Sequence, residues 1–141
     1  AWFDGNIQKI ASVSASIVTS AFNYVFGWSA HFDARVFTIP DPVEVKNYFI
    51  WRQQDASRNS LQMLARSLYS HAELEGKGAE ALHELLHQKG VNWNDLPPSQ
   101  KRGRGIIYTQ DEGWSIDQDI PVWTAEREWL RSRIPLLPSF T

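Results

Sequence analysis

Phe32-Asp33-Ala34-Arg35-Val36-Phe37, followed by Tyr48-Phe49-Ile50-Trp51-Arg52-Gln53-Gln54-Asp55-Ala56-Ser57-Arg58-Asn59-Ser60-Leu61, reads as a strand that turns through prolines into a helix. In the first part Phe32, Ala34, Val36 and Thr38 alternate with Asp33, Arg35, Phe37 and Ile39, so a strand over 32–39 becomes apolar on both faces at its end. Asp41-Pro42 supplies a carboxylate N-cap and a proline for the first helical turn. Val45, Phe49, Ala56, Met63 and Leu64 then carry a helical pattern toward Tyr69, with a bend expected near Asp55. Arg52, Asp55 and Asn59, at i, i+3 and i+7, share one side of that helix and can converge on one partner. A solvated face normally favours Glu and Lys, whereas Arg-Gln-Gln-Asp-x-x-Arg-Asn is a hydrogen-bonding inventory. A buried ion pair fixing the helix is the alternative use of the same groups.

Working outward, Ile7, Ile10, Ala11, Ser14, Ile17, Val18, Ala21, Phe22 and Val25 predict a helix over 6–25, ended by Gly27. Its small residues suit close packing on a sheet or another helix. Beyond Tyr69 a polar loop is expected over His71 to Gly78, then a short helix from Ala79 to Lys89 burying Leu82, Leu85 and Leu86 before Gly90. Asn92 to Ser99 reads as irregular. Ile106-Ile107-Tyr108 and Trp114-Ser115-Ile116 flank Asp111-Glu112-Gly113 as the arms of a hairpin. A last amphipathic segment, Val122 to Arg133, lies between Pro121 and Pro135. The expected class is α+β.

Composition narrows the functions. The 141 residues are 43% apolar with seven tryptophans, ample for a core. The net charge of −2 excludes a globally basic nucleic-acid binder, so any RNA contact has to come from local patches. No cysteine is present, which excludes disulfide scaffolds and thiolate zinc sites and fits a reducing compartment; a cytoplasmic location is the expectation. No apolar run approaches the roughly 20 residues of a membrane helix, so no membrane partner is expected. The opening Ala1-Trp2-Phe3-Asp4-Gly5 is not a signal peptide and reads as the middle of a longer chain.

Lys101-Arg102-Gly103-Arg104-Gly105 places cations among glycines, a composition that suits close approach to phosphate oxygens or, equally, a solvated basic turn. Lys9 on the first helix is either a snorkelling surface residue or a phosphate ligand. Arg35 either faces phosphate or pairs with Asp33 or Asp55. His83 and His87, at i and i+4, have a chelating separation but no third ligand at a convincing spacing, so a surface pair is expected and no metal is assigned. No P-loop, nucleophile elbow or dinucleotide fingerprint occurs.

Phe-Asp-x-Arg-Val, Trp-Arg-Gln-x-Asp-x-x-x-Asn-x-Leu and the Lys101-Arg102-Gly103 stretch after Asn92-Trp93-Asn94-Asp95 together resemble the C-terminal half of tRNA-His guanylyltransferases. The bacterial-type branch is the closer likeness, in 48–55 and in Gln88-Lys89-Gly90-Val91-Asn92-Trp93-Asn94-Asp95. The resemblance runs from about Asn6 to Arg104, and more loosely to Pro135. It implies the last helix and strand of a polymerase-like palm over 1–40. A mainly helical C-terminal region with a small hairpin, carrying tRNA-contacting helices and a basic loop, is implied over 41–141. Lys101 and Arg102 match the family's basic pair associated with tRNA binding. Asn59 matches one position of a His-Ile-Asn-Asn sequence implicated in tRNA handling, which here reads Ser57-Arg58-Asn59-Ser60. With Arg52 and Arg58 these form the implied tRNA-binding set, Asp55 being a structural anchor. Gln8-Lys9 stands at the family's Ser-Lys turn near the incoming triphosphate, so Lys9 and Arg35 form the implied nucleotide set.

The implied activity is addition of nucleotides to a tRNA 5′ end in the 3′-to-5′ direction, with GTP and ATP as substrates and paired Mg²⁺ ions. The family's metal carboxylates sit in an Asp-Gly-Arg-x-Phe strand and a Ser-Asp-Glu hairpin, and neither pattern occurs in these residues. Catalytic residues and Mg²⁺ are therefore expected upstream, and the chain alone is expected to be inactive. A lone palm strand leaves sheet edges uncovered, so a complementary N-terminal polypeptide or a homo-oligomer is expected to complete it. A non-catalytic RNA-binding or oligomerisation module derived from the family is the alternative.

Overall fold

Asn6 opens the first helix by accepting the Lys9 backbone N–H on its side chain at 3.0 Å. In the computed structural model, which describes residues 2–134, that helix (α1) spans Ile7–Phe26. Gly27 ends it at φ 66°, a left-handed geometry that only glycine adopts without steric cost. The chain divides into two units, Ala1–Ile39 and Pro40–Thr141.

In the first unit α1 is met by the short 3-10 turn before it, Trp2–Gly5, and by the segment that follows it. Asn23 brackets Ala30 with both halves of its amide, at 2.9 and 3.1 Å, and Phe22 meets the edge of Phe32 at 5.1 Å. No α1 residue is fully buried, and Ile17 and Val25 are 55% and 70% exposed. The strand expected over 32–39 does not form. A strand requires a neighbour to receive its backbone groups, and among the described residues none pairs with this segment. Instead the Phe32 N–H donates to the Thr19 hydroxyl at 3.2 Å.

The second unit is built on α2, Pro42–Arg66, whose N-cap Asp41 accepts the Val43 N–H at 2.8 Å. It passes through Asp55 as one element of 25 residues and ends at Arg66, short of Tyr69. Tyr69 instead donates its hydroxyl to Leu85 O at 2.6 Å. Helix α4, Ala79–Gln88, packs Leu82 and Leu86 against Leu61 and Ala65 of α2, with Leu64, Leu74, Val91 and Trp93 around them. Each such leucine contributes roughly 2 kcal/mol by leaving water.

The loop expected over 71–78 begins with a short helix, α3, His71–Leu74. Ser70-x-x-Glu73 is a capping box: the Glu73 carboxylate accepts from the Ser70 N–H at 2.8 Å and from its hydroxyl at 2.6 Å. These bonds, the hydroxyl first, hold the Glu73 pKa below the usual carboxylate range, with the Lys89 charge adding to them. The irregular stretch expected over 92–99 holds a 3-10 turn, Trp93–Asp95, capped by Asn92, and the start of α5, Pro98–Arg102, which has Pro98 in its first turn.

The hairpin forms as expected: β1 (Gly105–Thr109) pairs antiparallel with β2 (Gly113–Asp117), Ile106 opposite Ile116 and Tyr108 opposite Trp114. Helices and a two-stranded antiparallel sheet make the α+β class. The final segment is helical only over Arg127–Arg131 (α6). Before it, Val122 O closes a single turn, accepting the Ala125 and Glu126 N–H groups at 2.9 and 2.8 Å. Pro135 lies outside the described residues. No helix among the described residues is long and apolar enough to cross a membrane.

Candidate nucleic-acid interface

Gln53 organises the site. It sits in the middle of α2 with only 7% of its surface exposed. Its side-chain amide donates to Pro121 O at 2.8 Å and accepts from Trp123 N–H at 2.9 Å. The pairing imitates one rung of a sheet ladder and ties the 120–123 strap to the helix. Arg102, at the end of α5, donates its Nε–H to Ile120 O at 2.7 Å, fixing the strap from the other side. Ser60 donates to Gln100 O at 2.6 Å and accepts the Trp93 indole N–H at 3.1 Å, which binds α5 and the 3-10 turn to α2.

These ties frame a cleft of about 650 Å³. Arg58, Lys101 and Arg102 line it with Trp51, Trp93 and Gln54. Lys101 donates to Asn94 O at 2.6 Å, and its ammonium lies 5.7 Å from the centre of the Trp93 ring. Cations beside exposed aromatic surface can hold phosphate oxygens and stack an unpaired base in one ligand.

Asp55 divides the polar groups of α2. Its carboxylate accepts from Arg58 at 3.1 Å, from Arg52 at 3.4 Å and from Asn59 at 3.4 Å. The buried pair weighed from the sequence is instead half-exposed: 27% of the Asp55 side chain, 53% of Arg52 and 63% of Arg58 remain accessible. Arg58 lies on the cleft side. Arg52 lies across Gln53, in a depression of about 320 Å³ lined also by Tyr48, Phe49, Arg102, Arg104 and Trp123. The Trp123 indole N–H is buried there without a partner among the described residues.

Of the residues singled out from the sequence, Arg58, Lys101 and Arg102 thus come together, while Arg52 and Asn59 bond to Asp55 outside the cleft lining. Lys9 is exposed on α1, and Arg35 pairs with Asp33 at 3.4 Å, not with Asp55, both side chains being over 80% exposed. Both belong to the first unit. His83 packs half-buried against the edge of Trp93 at 5.7 Å. The described residues contain no group of three or more His, Asp or Glu placed to hold a metal ion. Asp111 and Glu112 are exposed in the β1–β2 turn. The residues present therefore do not fit a two-Mg²⁺ centre, and no chemical step is assigned to one here.

Trp51, Gln53, Gln54 and Trp93 stand in the motifs read from the sequence, but none of them was given a site role there. Gln53 and Gln54 were read only as part of the polar Arg-Gln-Gln-Asp run, and nothing in that run marks Gln53 as the buried one.

No protein-family model matches the chain. A bacterial tRNA(His) guanylyltransferase-like protein solved in complex with ATP superimposes with a TM-score of 0.85 at 43% identity, covering 96% of this chain and 61% of that one. Such a bacterial protein in complex with GTP gives 0.78 at 42% identity, covering 96% and 59%. A probable tRNA(His) guanylyltransferase of Drosophila melanogaster is 33% identical over 64% of this chain and 40% of its own. The tRNA(His) guanylyltransferase of Schizosaccharomyces pombe is 29% identical over 79% and 53%. The chain therefore spans about half the length of the curated relatives it matches and about 60% of the solved bacterial proteins. With the motifs of 48–55 and 88–103 in the same order, these likenesses establish that the chain belongs to the tRNA(His) guanylyltransferase-like family, as a C-terminal part of it.

Proposed function

We propose that this chain is the RNA-holding part of a nucleotidyltransferase that adds nucleotides to tRNA 5′ ends in the 3′-to-5′ direction, using GTP and ATP. The observation that carries the reading is the cleft, where Arg58, Lys101 and Arg102 line the same space as Trp51 and Trp93. The cations neutralise phosphates, the indoles offer stacking surface, and the Gln54 amide offers a donor and an acceptor to a base edge. Arg52 and Asn59 flank the cleft and reach the same RNA only by releasing Asp55. Lys9 and Arg35 serve the nucleotide triphosphate in the completed enzyme.

Mg²⁺ belongs to residues outside this chain, so the chain alone adds no nucleotide. A polypeptide carrying the metal carboxylates restores activity by covering α1, whose exposed Ile17 and Val25 support such a partner. The enzyme works in the cytoplasm. Binding of tRNA by the chain, measured across salt concentrations, tests the reading. Lys101→Ala and Arg58→Ala should each lower the slope of log affinity against log salt by about 0.7–0.9, one phosphate contact apiece. Trp51→Ala should weaken binding and leave the slope alone. Unchanged slopes in both cationic variants would overturn the assignment of the cleft. GTP incorporation by the chain alone would overturn the assignment of chemistry to a partner.

A further inference from the structure

A second cluster of basic side chains lies at the far end of α2. Arg66, His71 and Lys77 line a pocket of about 270 Å³ together with Gln62 and Glu75. Among the described residues none of these three side chains has a hydrogen-bond or ion-pair partner, and Glu75 forms no ion pair with any of them. Two unpaired cations, Arg66 and Lys77, with the His71 ring beside them around one small pocket, make a site for an anion. Its position says which anion. At about 100° per residue, Trp51, Arg58, Gln62 and Arg66 fall along one flank of α2 within roughly 80° of one another. The cleft's arginine and the pocket's arginine are therefore two points on a single track. Eight residues separate them, about 12 Å along the axis at 1.5 Å per residue. One strand can therefore set different phosphates of its backbone against the two arginines.

We infer that Arg66, His71 and Lys77 form a second phosphate-binding site, which takes the backbone of the same RNA a few nucleotides beyond the part held in the cleft. The inference rests on the cleft being an RNA site and adds a direction: the bound strand runs along α2 toward its C-terminal end. Gln62, between the two arginines, can donate to a phosphate or a ribose hydroxyl on the way.

The test compares two RNAs on the chain carrying Arg66→Ala and Lys77→Ala together. Both side chains are exposed, so the fold should be retained, and unchanged melting confirms it. For full-length tRNA the salt slope should fall by about 1.4–1.8, two phosphates at 0.7–0.9 each, with severalfold weaker binding. For a tetranucleotide, long enough to fill the cleft alone, affinity and slope should be unchanged. Arg66→Lys with Lys77→Arg should restore the tRNA slope. If the tRNA slope does not change while Lys101→Ala still lowers it, the second site is wrong and the cleft stands. If neither variant changes the slope, or tRNA does not bind, both fall. Equal losses for tRNA and tetranucleotide would refute the track, because the change would then have acted through the cleft.

Discussion

Replacing Gln53 by leucine would leave two main-chain groups, Pro121 C=O and Trp123 N–H, without the partners they have at 2.8 and 2.9 Å. An unsatisfied backbone group in a buried setting costs about 1–3 kcal/mol. Pro121 and Trp123 are themselves half-buried, so water reaches them in part and the lower half of that range applies to each. The two groups together then cost about 2–4 kcal/mol, and the extra apolar surface of leucine offsets about 1 kcal/mol. A net loss of about 1–3 kcal/mol, at about 4–8 °C per kcal/mol for a unit of this size, lowers Tm by roughly 5–20 °C. Thermal and urea unfolding followed by tryptophan fluorescence would measure it, since Trp123 lies on the strap that is released. Gln53→Glu separates polarity from shape. It still accepts the Trp123 N–H, but it sets a carboxylate against the Pro121 carbonyl. That repulsion raises the carboxyl's folded pKa, so the variant should be least stable at neutral pH and recover as acid protonates it. Gln54→Ala, one residue along on the exposed side, should stay within about 0.5 kcal/mol of the parent. A Gln53→Leu protein melting within about 2 °C of the parent would refute the strap as a structural tie.

Asp55→Asn should cost no more than about 2 kcal/mol, because its two ion pairs are half-exposed and each is worth roughly 0.2–1 kcal/mol; a loss above about 3 kcal/mol by urea unfolding would mean that the pairs are effectively buried. The same substitution releases Arg52 and Arg58 and should raise tRNA affinity at low salt, which a binding titration reads directly. Glu73, whose folded pKa is depressed by Ser70, should hold the α3 cap fully above its unfolded pKa and lose it as pH falls through the lowered value. Protection of the Ser70 amide, its exchange rate relative to the intrinsic rate at the same pH, should therefore fall in acid, and Glu73→Gln should show low protection with little pH dependence; parallel protection profiles for the two proteins would count against the cap.

The helices were legible where a repeat and its cap agreed. Asp41-Pro42 announced α2, Asn6 and Gly27 bounded α1 within a residue or two, and the Asp111–Gly113 turn announced the hairpin. The 32–39 strand was misread because alternation describes a surface fit for pairing and does not supply the neighbour. The capping box at Ser70-x-x-Glu73 was present in the sequence and passed over inside a polar stretch. Val122 to Arg133 failed for a less local reason. One turn does form at Val122, but the segment is seated by a side chain 70 residues earlier, Gln53, a bond that no window of sequence contains, and regular helix resumes only at Arg127. The site was half legible for the same cause. Cations could be picked out by type, but whether Arg52 or Arg58 would stand beside Lys101 depended on which arc of α2 faced α5.

Lys101 and Arg102 each hold a main-chain carbonyl, of Asn94 and Ile120, before any ligand arrives. Long basic side chains ordinarily surrender about 0.5–1.5 kcal/mol of rotamer freedom when a ligand immobilises them. Here folding has already fixed both, so an incoming phosphate meets donors aimed in advance. Arg102 suits this double duty by its shape. Its Nε–H serves the protein while the two terminal nitrogens remain as a planar fork for an oxyanion, a division of labour that a lysine ammonium cannot reproduce. Arg102→Lys would keep the charge and lose the aim, so association with RNA should remain fast while the complex falls apart sooner.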